Sequence, residues 1–433
     1  MLQDDNVSIS LSYYQGRYFL AETRVKKTIW GVSHSVFVLG IVSLLTDISS
    51  EMLVPVIPQF LKGVLGASGT SIGAIEGIAE STASLLRVWA GYLADRFGRP
   101  KLLTVCGYAL SALSKPFLIF ATAWPHVFAV RFADRFGKGI RSAPRDVLIA
   151  AASDENTRGR AFGLHRAMDT TGAMLGPVVV IAILWIMSRG HGIKALESAD
   201  KSVFLTIFIV AAIPALLAVL VLAIFVPEQK RDSKLAKPPS ISLKALTTQF
   251  KIFLAILVVF SIGNSSDAFL VLKATSKETV GMSLFSFMLV WIAYNALQAM
   301  VAFRSGILSD RIGRKPLIIA GWFVFSACYF AIAHVSTAKG IWLWYLIYGI
   351  YYGLTEGVLK AFAVDLAPAH LRGTALGVFH TAIGLALLPA SLIAGKLWDI
   401  NPSFPFYFGA ITSLIAACGL ILFVKIPAKN APM

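Results

Sequence analysis

Long apolar stretches separated by short polar segments extend along the chain from residue 33 to residue 425. A helix needs about 20 largely apolar residues to cross the hydrocarbon core of a bilayer. Twelve stretches reach this length, and they are too long and too uniformly apolar for the strands of a membrane barrel. Helices are predicted because each backbone polar group must find its partner within its own segment. The predicted spans begin near His34, Thr70, Lys101, Trp124, Arg160, Ser202, Ile252, Val280, Pro316, Ile341, Leu371 and Phe404.

The composition also favours a membrane protein. Hydrophobic residues make up 57% of the 433 positions and charged residues only 14%, against roughly 25% charged in a soluble domain. A net charge of +16 would suggest nucleic acid in a soluble protein. Here the basic residues lie mainly in short loops, and no basic stripe is interleaved with aromatic residues. We therefore expect contact with a lipid bilayer and no binding of nucleic acid.

The basic loops predict how the chain crosses the membrane. Loops that follow the even-numbered spans carry more Lys and Arg than the loops on the other side. Cytoplasmic loops are enriched in these residues, so both termini are predicted to be cytoplasmic. The first 30 residues lack the pattern of a cleavable signal. The first span is therefore expected to be retained in a multi-pass protein.

An internal repeat divides the chain into two parts. The pattern Gly-x-Leu-x-Asp-Arg-x-Gly-Arg begins at Gly91 and again at Gly306, an offset of 306 − 91 = 215. The pattern Arg-Gly-x-Ala-x-Gly begins at Arg158 and again at Arg372, an offset of 372 − 158 = 214. Two matches at nearly one offset indicate duplicated halves of the same topology. The predicted fold class is an all-α integral membrane protein with twelve transmembrane helices in two pseudo-symmetric six-helix halves.

The repeat predicts the domain boundaries. Residues 1–33 are interpreted as a cytoplasmic N-terminal arm and residues 34–226 as the first six-helix bundle. The polar stretch that follows contains a Pro-Pro pair and several Lys, which is typical of a linker. Residues 227–251 are therefore predicted to be a cytoplasmic linker, residues 252–425 the second bundle and residues 426–433 a cytoplasmic tail.

The repeated loop resembles motif A of the major facilitator superfamily, and the resemblance covers the membrane domain from about Ser33 to Lys425. It implies a secondary transporter in which this loop gates the cytoplasmic end and stabilises an outward-facing state. The glycines suit tight turns, Asp95 could face a helix N-terminus, and the arginines could bind carboxylates; plain basic loops are the alternative. The gating role would fall on Gly91, Asp95, Arg96, Gly98, Arg99, Gly306, Asp310, Arg311, Gly313 and Arg314.

Two further motifs bear on coupling and direction. The stretch from Arg135 to Gly139 resembles motif B of the same superfamily, whose intramembrane Arg is linked to proton coupling. A glycine pattern in the fifth span resembles motif C, which is associated with antiporters that export their substrates; Val180 stands where the family has a further glycine. A generic packing face of small residues is the alternative. The motif C residues are Gly163, Gly172, Gly176 and Pro177.

Charged side chains within spans are energetically costly and mark candidate proton pathways. At about 1.5 Å per residue, Asp47 and Arg135 both fall near the middle of the membrane. We predict that they form an ion pair, which would suit a switch driven by protonation of the acid. A static network of buried ion pairs is the alternative. The candidates for proton coupling are Asp47, Glu51, Glu80, Arg131, Asp134 and Arg135.

Polar side chains in other spans are candidates for contacts with a substrate in a central cavity. Hydrogen bonds between packed helices are the alternative for these residues. His165 could relay protons, or it could be a packed core residue. The cavity candidates are His165, Asn264, Asp267, Tyr294, Asn295, Gln298, Tyr352, Glu356 and Lys360.

No Walker loop, nucleophile elbow or metal-ligand spacing occurs in the sequence, so neither an enzyme, a cofactor nor a metal is expected. We predict a monomeric transporter of the bacterial inner membrane that exports a small organic solute by proton antiport and alternating access. Basic cavity residues favour a solute with some anionic character. A proton symporter that imports a small, anionic metabolite or a siderophore-like compound is the alternative. A membrane enzyme or a receptor that does not transport is a third hypothesis.

Overall fold

The computed structural model describes residues 8–14, 17–23, 28–29, 32–153, 157–188, 200–228, 246–368 and 371–425. Within these ranges the chain is almost entirely helical. The helices are α1 (His34–Leu53), α2 (Ile57–Gln59), α3 (Gly69–Phe97), α4 (Pro100–Ser114), α5 (Trp124–Ala151), α6 (Arg158–Met187), α7 (Lys201–Phe225), α8 (Thr248–Gly263), α9 (Ala268–Thr275), α10 (Leu284–Ile312), α11 (Arg314–His334), α12 (Ala338–Asp365), α13 (Arg372–Ile400) and α14 (Phe404–Phe423). A π-helical turn, Phe60–Val64, follows α2, and a 3-10 turn, Lys115–Phe120, follows α4.

Short strands precede the first membrane helix. Strands β1 (Ser8–Tyr14) and β2 (Arg17–Thr23) form an antiparallel hairpin. Strands β3 (Thr28–Ile29) and β4 (Val32–Ser33) form a second, shorter one. The region predicted as an N-terminal arm therefore contains backbone pairing of its own. Most of the predicted linker and the whole predicted tail lie outside the described residues, so the domain boundaries stay predictions.

Nine helical segments of the described chain are long and apolar enough to cross a membrane. Two of them, His34–Val64 and Thr248–Thr275, each combine two helices of the fold. Helices α3, α5 and α12 have 29, 28 and 28 residues, so they are as long as the nine. Each of the twelve predicted spans overlaps one of these twelve segments. Helices α3 and α5 also carry many of the charged side chains described below, which lowers their hydropathy.

The duplication suggested by the sequence is visible in the caps of the first helix of each half. Ser33 caps α1 and donates a hydrogen bond of 2.7 Å from its hydroxyl to the carbonyl of Ala152. Thr247 caps α8 and donates a hydrogen bond of the same length to the carbonyl of Leu366. The two donor residues are 214 positions apart in the chain (247 − 33), and the two acceptor residues are also 214 positions apart (366 − 152). The two halves therefore repeat individual contacts and not only helix order.

The repeated loops adopt the same turn. Gly98 has a φ of 60° between α3 and α4, and Gly313 has a φ of 89° between α10 and α11. Backbone with positive φ strongly favours glycine, which explains why both loops have Gly at this position. The next helix begins in an equivalent way, since Lys101 and Lys315 each donate to backbone carbonyls at the end of the last helix of their own half.

Helices α1 to α7 form one bundle and α8 to α14 the other. In the first bundle α1 packs on α6 and α7, and α5 packs on α3 and α4. In the second bundle α12 packs on α10 and α11, and α11 packs on α14. The bundles meet where α3 lies along α13 and where α6 crosses α10. The space between these two pairs of helices contains the candidate site.

Candidate functional site

The two bundles are joined at one end. Here the carboxylate of Asp399, at the end of α13, accepts hydrogen bonds from the backbone N–H groups of Gly69 (2.5 Å) and Thr70 (2.8 Å) and from the hydroxyl of Thr70 (2.6 Å). It thus caps the N-terminus of α3 from the other half of the protein, where an anion is stabilised by the helix dipole. Lys62 and Glu278 form an ion pair of 3.6 Å between the halves at the same end. We call this the capped end.

Glycines let α3 and α13 approach closely from the capped end inwards. A Cβ atom added at Gly77 would lie 2.9 Å from the Cβ of Ser391, and one added at Gly384 would lie 2.8 Å from the Cβ of Ser84. Such distances leave no room for a side chain. The contact therefore extends without a gap along α3 from Gly69 to Ser84 and closes this side of the molecule.

The other end carries the repeated loops, and we call it the motif A end. Glycines near this end, Gly163 on α6 and Gly306 on α10, have open space where a Cβ atom would be. Exposed positions also follow one another along the last part of α10, whereas Ser305 on its buried face donates a hydrogen bond to the carbonyl of Gly353 on α12 of the same bundle. The exposed positions are Met300, Ala302, Arg304, Gly306, Ile307 and Leu308. The bundles are therefore apart at the motif A end.

A central cavity of about 460 Å³ lies between the bundles. Its first-half wall is built from α1, α2, α3, α5 and α6, and its second-half wall from the segment between α8 and α9 and from α9, α10, α12 and α13. Seven of the nine predicted cavity residues line it: Asn264, Asp267, Tyr294, Asn295, Gln298, Tyr352 and Glu356. His165 is buried and does not line it, and Lys360 lies next to it, 3.6 Å from the carboxylate of Glu356.

The first-half wall contains ion pairs between α3 and α5. Arg131 binds Glu76 with two hydrogen bonds of 2.5 and 3.0 Å, and both side chains are almost fully buried. One helical turn further along, Arg135 pairs with Glu80 at 2.8 Å. Asp134 lies 3.9 Å from Arg131 and 4.0 Å from Arg135 and accepts a hydrogen bond from a serine of α4. These contacts join α3, α4 and α5 in one network of charges.

The predicted ion pair between Asp47 and Arg135 is not formed. Arg135 is held by Glu80, whereas the carboxyl group of Asp47 forms a hydrogen bond with the carboxyl group of Asp169 on α6. The hydroxyl of Ser43 also donates to Asp169 at 2.7 Å. The position of Asp47 along α1 predicts its depth in the membrane. It does not predict that the side chain faces α6 instead of α5. A hydrogen bond between two carboxyl groups requires a proton on one of them.

This carboxyl pair is connected to the second half through Arg166. The guanidinium of Arg166 lies 3.1 Å from Asp169 and 3.7 Å from Glu356 on α12. Its side chain is 66% exposed, as expected for a group in the opening at the motif A end. Asp47, Asp169, Arg166 and Glu356 therefore form a chain of contacts from α1 across α6 to the other bundle.

The second-half wall is built around a break in a helix. The chain leaves the helical conformation after Gly263 and re-enters it at Ala268. Asp267, at the end of the break, accepts a hydrogen bond of 2.9 Å from the hydroxyl of Tyr348. Non-helical backbone inside a membrane is tolerated only where protein or a water-filled cavity surrounds it. The break therefore faces the cavity together with the side chain of Asp267.

Comparison with known proteins gives the same fold. Residues 39–391 match the sequence profile of the Major Facilitator Superfamily. The chain belongs to this superfamily. It is 34% identical over 396 residues to an uncharacterised MFS-type transporter of Methanocaldococcus jannaschii, covering 91% of this chain and 95% of the relative. A shorter match, 30% identical over 121 residues, covers 28% of this chain and 31% of multidrug resistance protein 1 of Bacillus subtilis.

Solved structures agree on the fold of the superfamily. A crystal structure of a POT family transporter in complex with 5-aminolevulinic acid superposes with a TM-score of 0.75 and covers 92% of this chain and 98% of that chain. Its sequence identity to this chain is 14%, so the likeness shows the fold alone. The protein is therefore a transporter of the superfamily and not an enzyme, and its fold is the helical membrane fold of that superfamily, with which the predicted twelve helices in two halves agree.

The superfamily motifs have local roles that the structure makes visible. In motif C, a Cβ atom at Gly172 would lie 3.0 Å from the Cβ of Asp47, and one at Gly176 would lie 2.9 Å from the Cβ of Glu51. These glycines thus pack α6 against α1 and bring Asp169 to Asp47. In motif A, Arg314 pairs with Asp365 of its own half. The side chains of Asp95 and Asp310 lie outside the described residues, so the gating roles stay predictions.

Glu76, Asp169, Arg166, Tyr348 and Trp291 contribute to the site but were not among the site residues predicted from the sequence. Glu76 lies one turn before Glu80 on the same stripe of α3, and Asp169 lies four residues after His165. Trp291 lines the cavity and donates a hydrogen bond of 3.1 Å from its indole N–H to Glu51. The spacing of Trp291 to the predicted residues of α10 is three, four and seven, which is the spacing of one helix face. That periodicity could have indicated it.

Proposed function

We propose that this transporter is a proton-coupled antiporter that exports a small organic solute across the bacterial inner membrane by alternating access. The basic loops predict that the motif A end lies in the cytoplasm, and in that orientation the cavity described above would be open to the cell interior. The alternate state would open the capped end and close the motif A end. A solute bound in the cavity would then be released on the outer side. Similarity to a multidrug resistance protein over part of the chain supports the outward direction.

The observation that carries the proposal is the hydrogen-bonded pair of Asp47 and Asp169. Two carboxyl groups in contact inside a membrane hold one proton between them, because two negative charges at this distance repel strongly. The pair lies on α1 and α6, next to the opening of the cavity. Loss of the shared proton leaves two carboxylates, which attract Arg166 more strongly.

Arg166 transmits the protonation state of the carboxyl pair to the other half of the protein. When the pair is protonated, the guanidinium is free to stay close to Glu356, 3.7 Å away on α12. When the proton leaves, Asp169 draws the guanidinium back into the first half and the contact between halves weakens. Proton occupancy thus changes the relative stability of two arrangements of the bundles, which is the requirement for coupling.

Proton movement in proteoliposomes tests the proposal. Purified protein is reconstituted with a pH-sensitive dye inside the vesicles, and a panel of metabolites and drugs is added on the outside. Exchange predicts that an exported solute drives proton movement in the opposite direction and that Asp47→Asn or Asp169→Asn abolishes it. Asp200→Asn, an exposed position at the start of α7, is the matched control and should behave like the wild type.

Other outcomes would point to other functions. Movement of solute and protons in the same direction would indicate a symporter. Equal solute flux with and without a pH gradient, and in Asp47→Asn, would show that the carboxyl pair is structural and that the protein is a uniporter.

A further inference from the structure

We propose that the second-half wall of the cavity binds the positively charged ammonium group of an organic cation, held between the carboxylate of Asp267 and the aromatic side chains of Trp291, Tyr294 and Tyr352. This inference rests on the proposed transport function and names the substrate class of the same cavity. It replaces the expectation of an anionic solute, which was based on the number of basic residues in the first half.

Three of the four basic residues that line the cavity are paired with acids. Arg131 is paired with Glu76, Arg135 with Glu80, and Arg166 with Asp169 and Glu356. For the fourth, Lys138, the charge that acts most strongly is that of Arg135, followed by the charges of the acids Glu80 and Asp47. An anionic solute would have to compete with these carboxylates, several of which are fixed by short bonds. The first-half wall is therefore close to charge neutrality by itself.

Asp267 has a different environment. The charged groups that act on it most strongly are the carboxylates of Glu80, Glu51 and Glu76. Along the described part of the second half, no Lys or Arg lines the cavity. A carboxylate has about four acceptor positions, and Tyr348 supplies one donor to Asp267, at 2.9 Å. Asp267 lines the cavity, and the described residues provide its carboxylate with no ion pair.

Aromatic rings line the same cavity as this carboxylate. The ring centroids of Trp291 and Tyr294 are 5.6 Å apart, and those of Tyr294 and Tyr352 are 6.5 Å apart. Tyr294 and Tyr352 are nearly perpendicular, at 84°, so the two rings form a corner and not a flat stack. Aromatic faces attract ammonium groups by about 0.5–2 kcal/mol each, depending on desolvation. A corner of rings beside a carboxylate is the arrangement that recognises such groups.

Glu51 on α1 adds a second acid to the site from the first half of the protein. It lies at the end of the regular part of α1, where that helix breaks before α2, and it accepts the indole N–H of Trp291 at 3.1 Å. Asp267 lies at the corresponding break of α8 and α9, at an offset of 216 residues (267 − 51). The two helix breaks thus present one acid each to the same cavity.

The same features argue against other ligands. The cavity of about 460 Å³ falls within the range of small-molecule sites, about 300–1,000 Å³. A bare metal ion would need several ligands in contact, and no cluster of three His, Cys, Asp or Glu suited to a metal occurs among the described residues. A neutral solute could contact the rings but would leave Asp267 uncompensated.

Binding to the full-length protein in detergent tests this inference without any transport measurement. Isothermal titration calorimetry is done with benzyltrimethylammonium as cation, phenylacetate as anion and benzyl alcohol as neutral analogue. We expect the cation to bind at least tenfold more tightly than the other two compounds. Asp267→Asn should weaken its binding at least tenfold, and Asp267→Glu should recover part of the loss. Asp200→Asn should have no effect.

A second variant distinguishes loss of the binding site from misfolding of the protein. Tyr352 is a half-buried residue of the aromatic corner. Tyr352→Leu should weaken binding of the cation several-fold with an unchanged melting temperature. Equal binding of the cation to Asp267→Asn, or tighter binding of phenylacetate to the wild type, would overturn the inference.

The failure of this inference and that of the proposed function can be told apart. Proton-coupled flux of an anionic or neutral solute, with no binding of benzyltrimethylammonium, would overturn the inference and leave the antiporter in place. Binding of benzyltrimethylammonium that depends on Asp267, without proton movement for any cation, would support the inference and overturn the antiporter.

Discussion

The two walls of the cavity use different chemistry, although the two halves repeat the same helices and caps. The first-half wall contains arginines and carboxylates that neutralise one another at 2.5–2.8 Å. The second-half wall contains tyrosines, a tryptophan and the carboxylate of Asp267, with no cation of its own half lining the cavity along the described helices. The two halves thus share a backbone arrangement, whereas one carries a network of ion pairs and the other an aromatic surface with one acid.

The largest effect is expected from breaking an ion pair of the first-half wall. Arg131→Ala leaves Glu76 buried and unpaired, which should cost about 3–5 kcal/mol of stability. Thermal unfolding in detergent should show a much lower melting temperature. The double variant Arg131→Met with Glu76→Met should recover most of the loss, because it removes both charges. An unchanged melting temperature in Arg131→Ala would show that the pair is not buried as described.

The matched substitution in the second-half wall should not lower the melting temperature. Asp267→Asn removes a carboxylate whose strongest charged neighbours are also carboxylates, so the melting temperature should stay the same or rise. A large fall would mean that Asp267 has a stabilising role like that of the first-half acids, and the comparison of the two walls would be wrong.

A smaller effect is expected where the two walls touch. Trp291→Phe removes the indole N–H that Glu51 accepts, and hydrogen bonds to charged groups contribute about 1.5–3 kcal/mol. Thermal unfolding should therefore show an intermediate loss of stability. Trp344→Phe on α12, at a residue outside the cavity lining, is the control for loss of indole volume. Equal losses in both variants would assign the effect to volume and not to the hydrogen bond.

The capped end should respond by a shift between states. Asp399→Ala removes the cap of α3, and loss of such a cap costs about 0.5–2 kcal/mol. The population closed at this end should fall by a factor of about 2 to 30 relative to the open one. Spin labels at the exposed positions Gly63 and Lys277, one in each half, would report longer distances in double electron–electron resonance. The same distances in Asp399→Ala and wild type would exclude a role of the cap in closure.

The smallest effect on stability is expected for the exposed bridge between the walls. Arg166 is 66% exposed, and exposed ion pairs contribute about 0–1 kcal/mol. Arg166→Gln should therefore leave the melting temperature nearly unchanged. Under the proposed mechanism it should nevertheless uncouple proton movement from solute flux in proteoliposomes. Coupled flux at the wild-type rate would show that Arg166 does not transmit the state of the carboxyl pair.

Much of the fold could be predicted from the sequence because the signals are local. Three predicted helix starts, at His34, Trp124 and Phe404, coincide with the structure, and the others lie within four residues of the observed starts. The turn glycines Gly98 and Gly313 were found from the repeated loop. Most of the cavity candidates of the second half line the cavity, and those of α10 and α12 each follow one helix face. Their contact with a substrate stays a prediction.

The pairing of the charges could not be predicted in this way. Asp47 was expected beside Arg135 because both lie at the same depth, but depth says nothing about the direction in which a side chain points. One residue along an α-helix turns a side chain by about 100°, so a small rotation changes its neighbour. Glycine contacts between α6 and α1 decided this rotation, and they placed Asp47 beside Asp169.

The sequence by itself therefore determined the number and length of the spans, the duplication and the turns between helices. Each of these depends on hydropathy or on backbone conformation within a short segment. Only the tertiary structure decided which end is closed, that Glu80 and not Asp47 holds Arg135, and that Asp267 is left without a cation. These features depend on the distances between helices far apart in the chain, and such distances are set by close packing of whole helix faces.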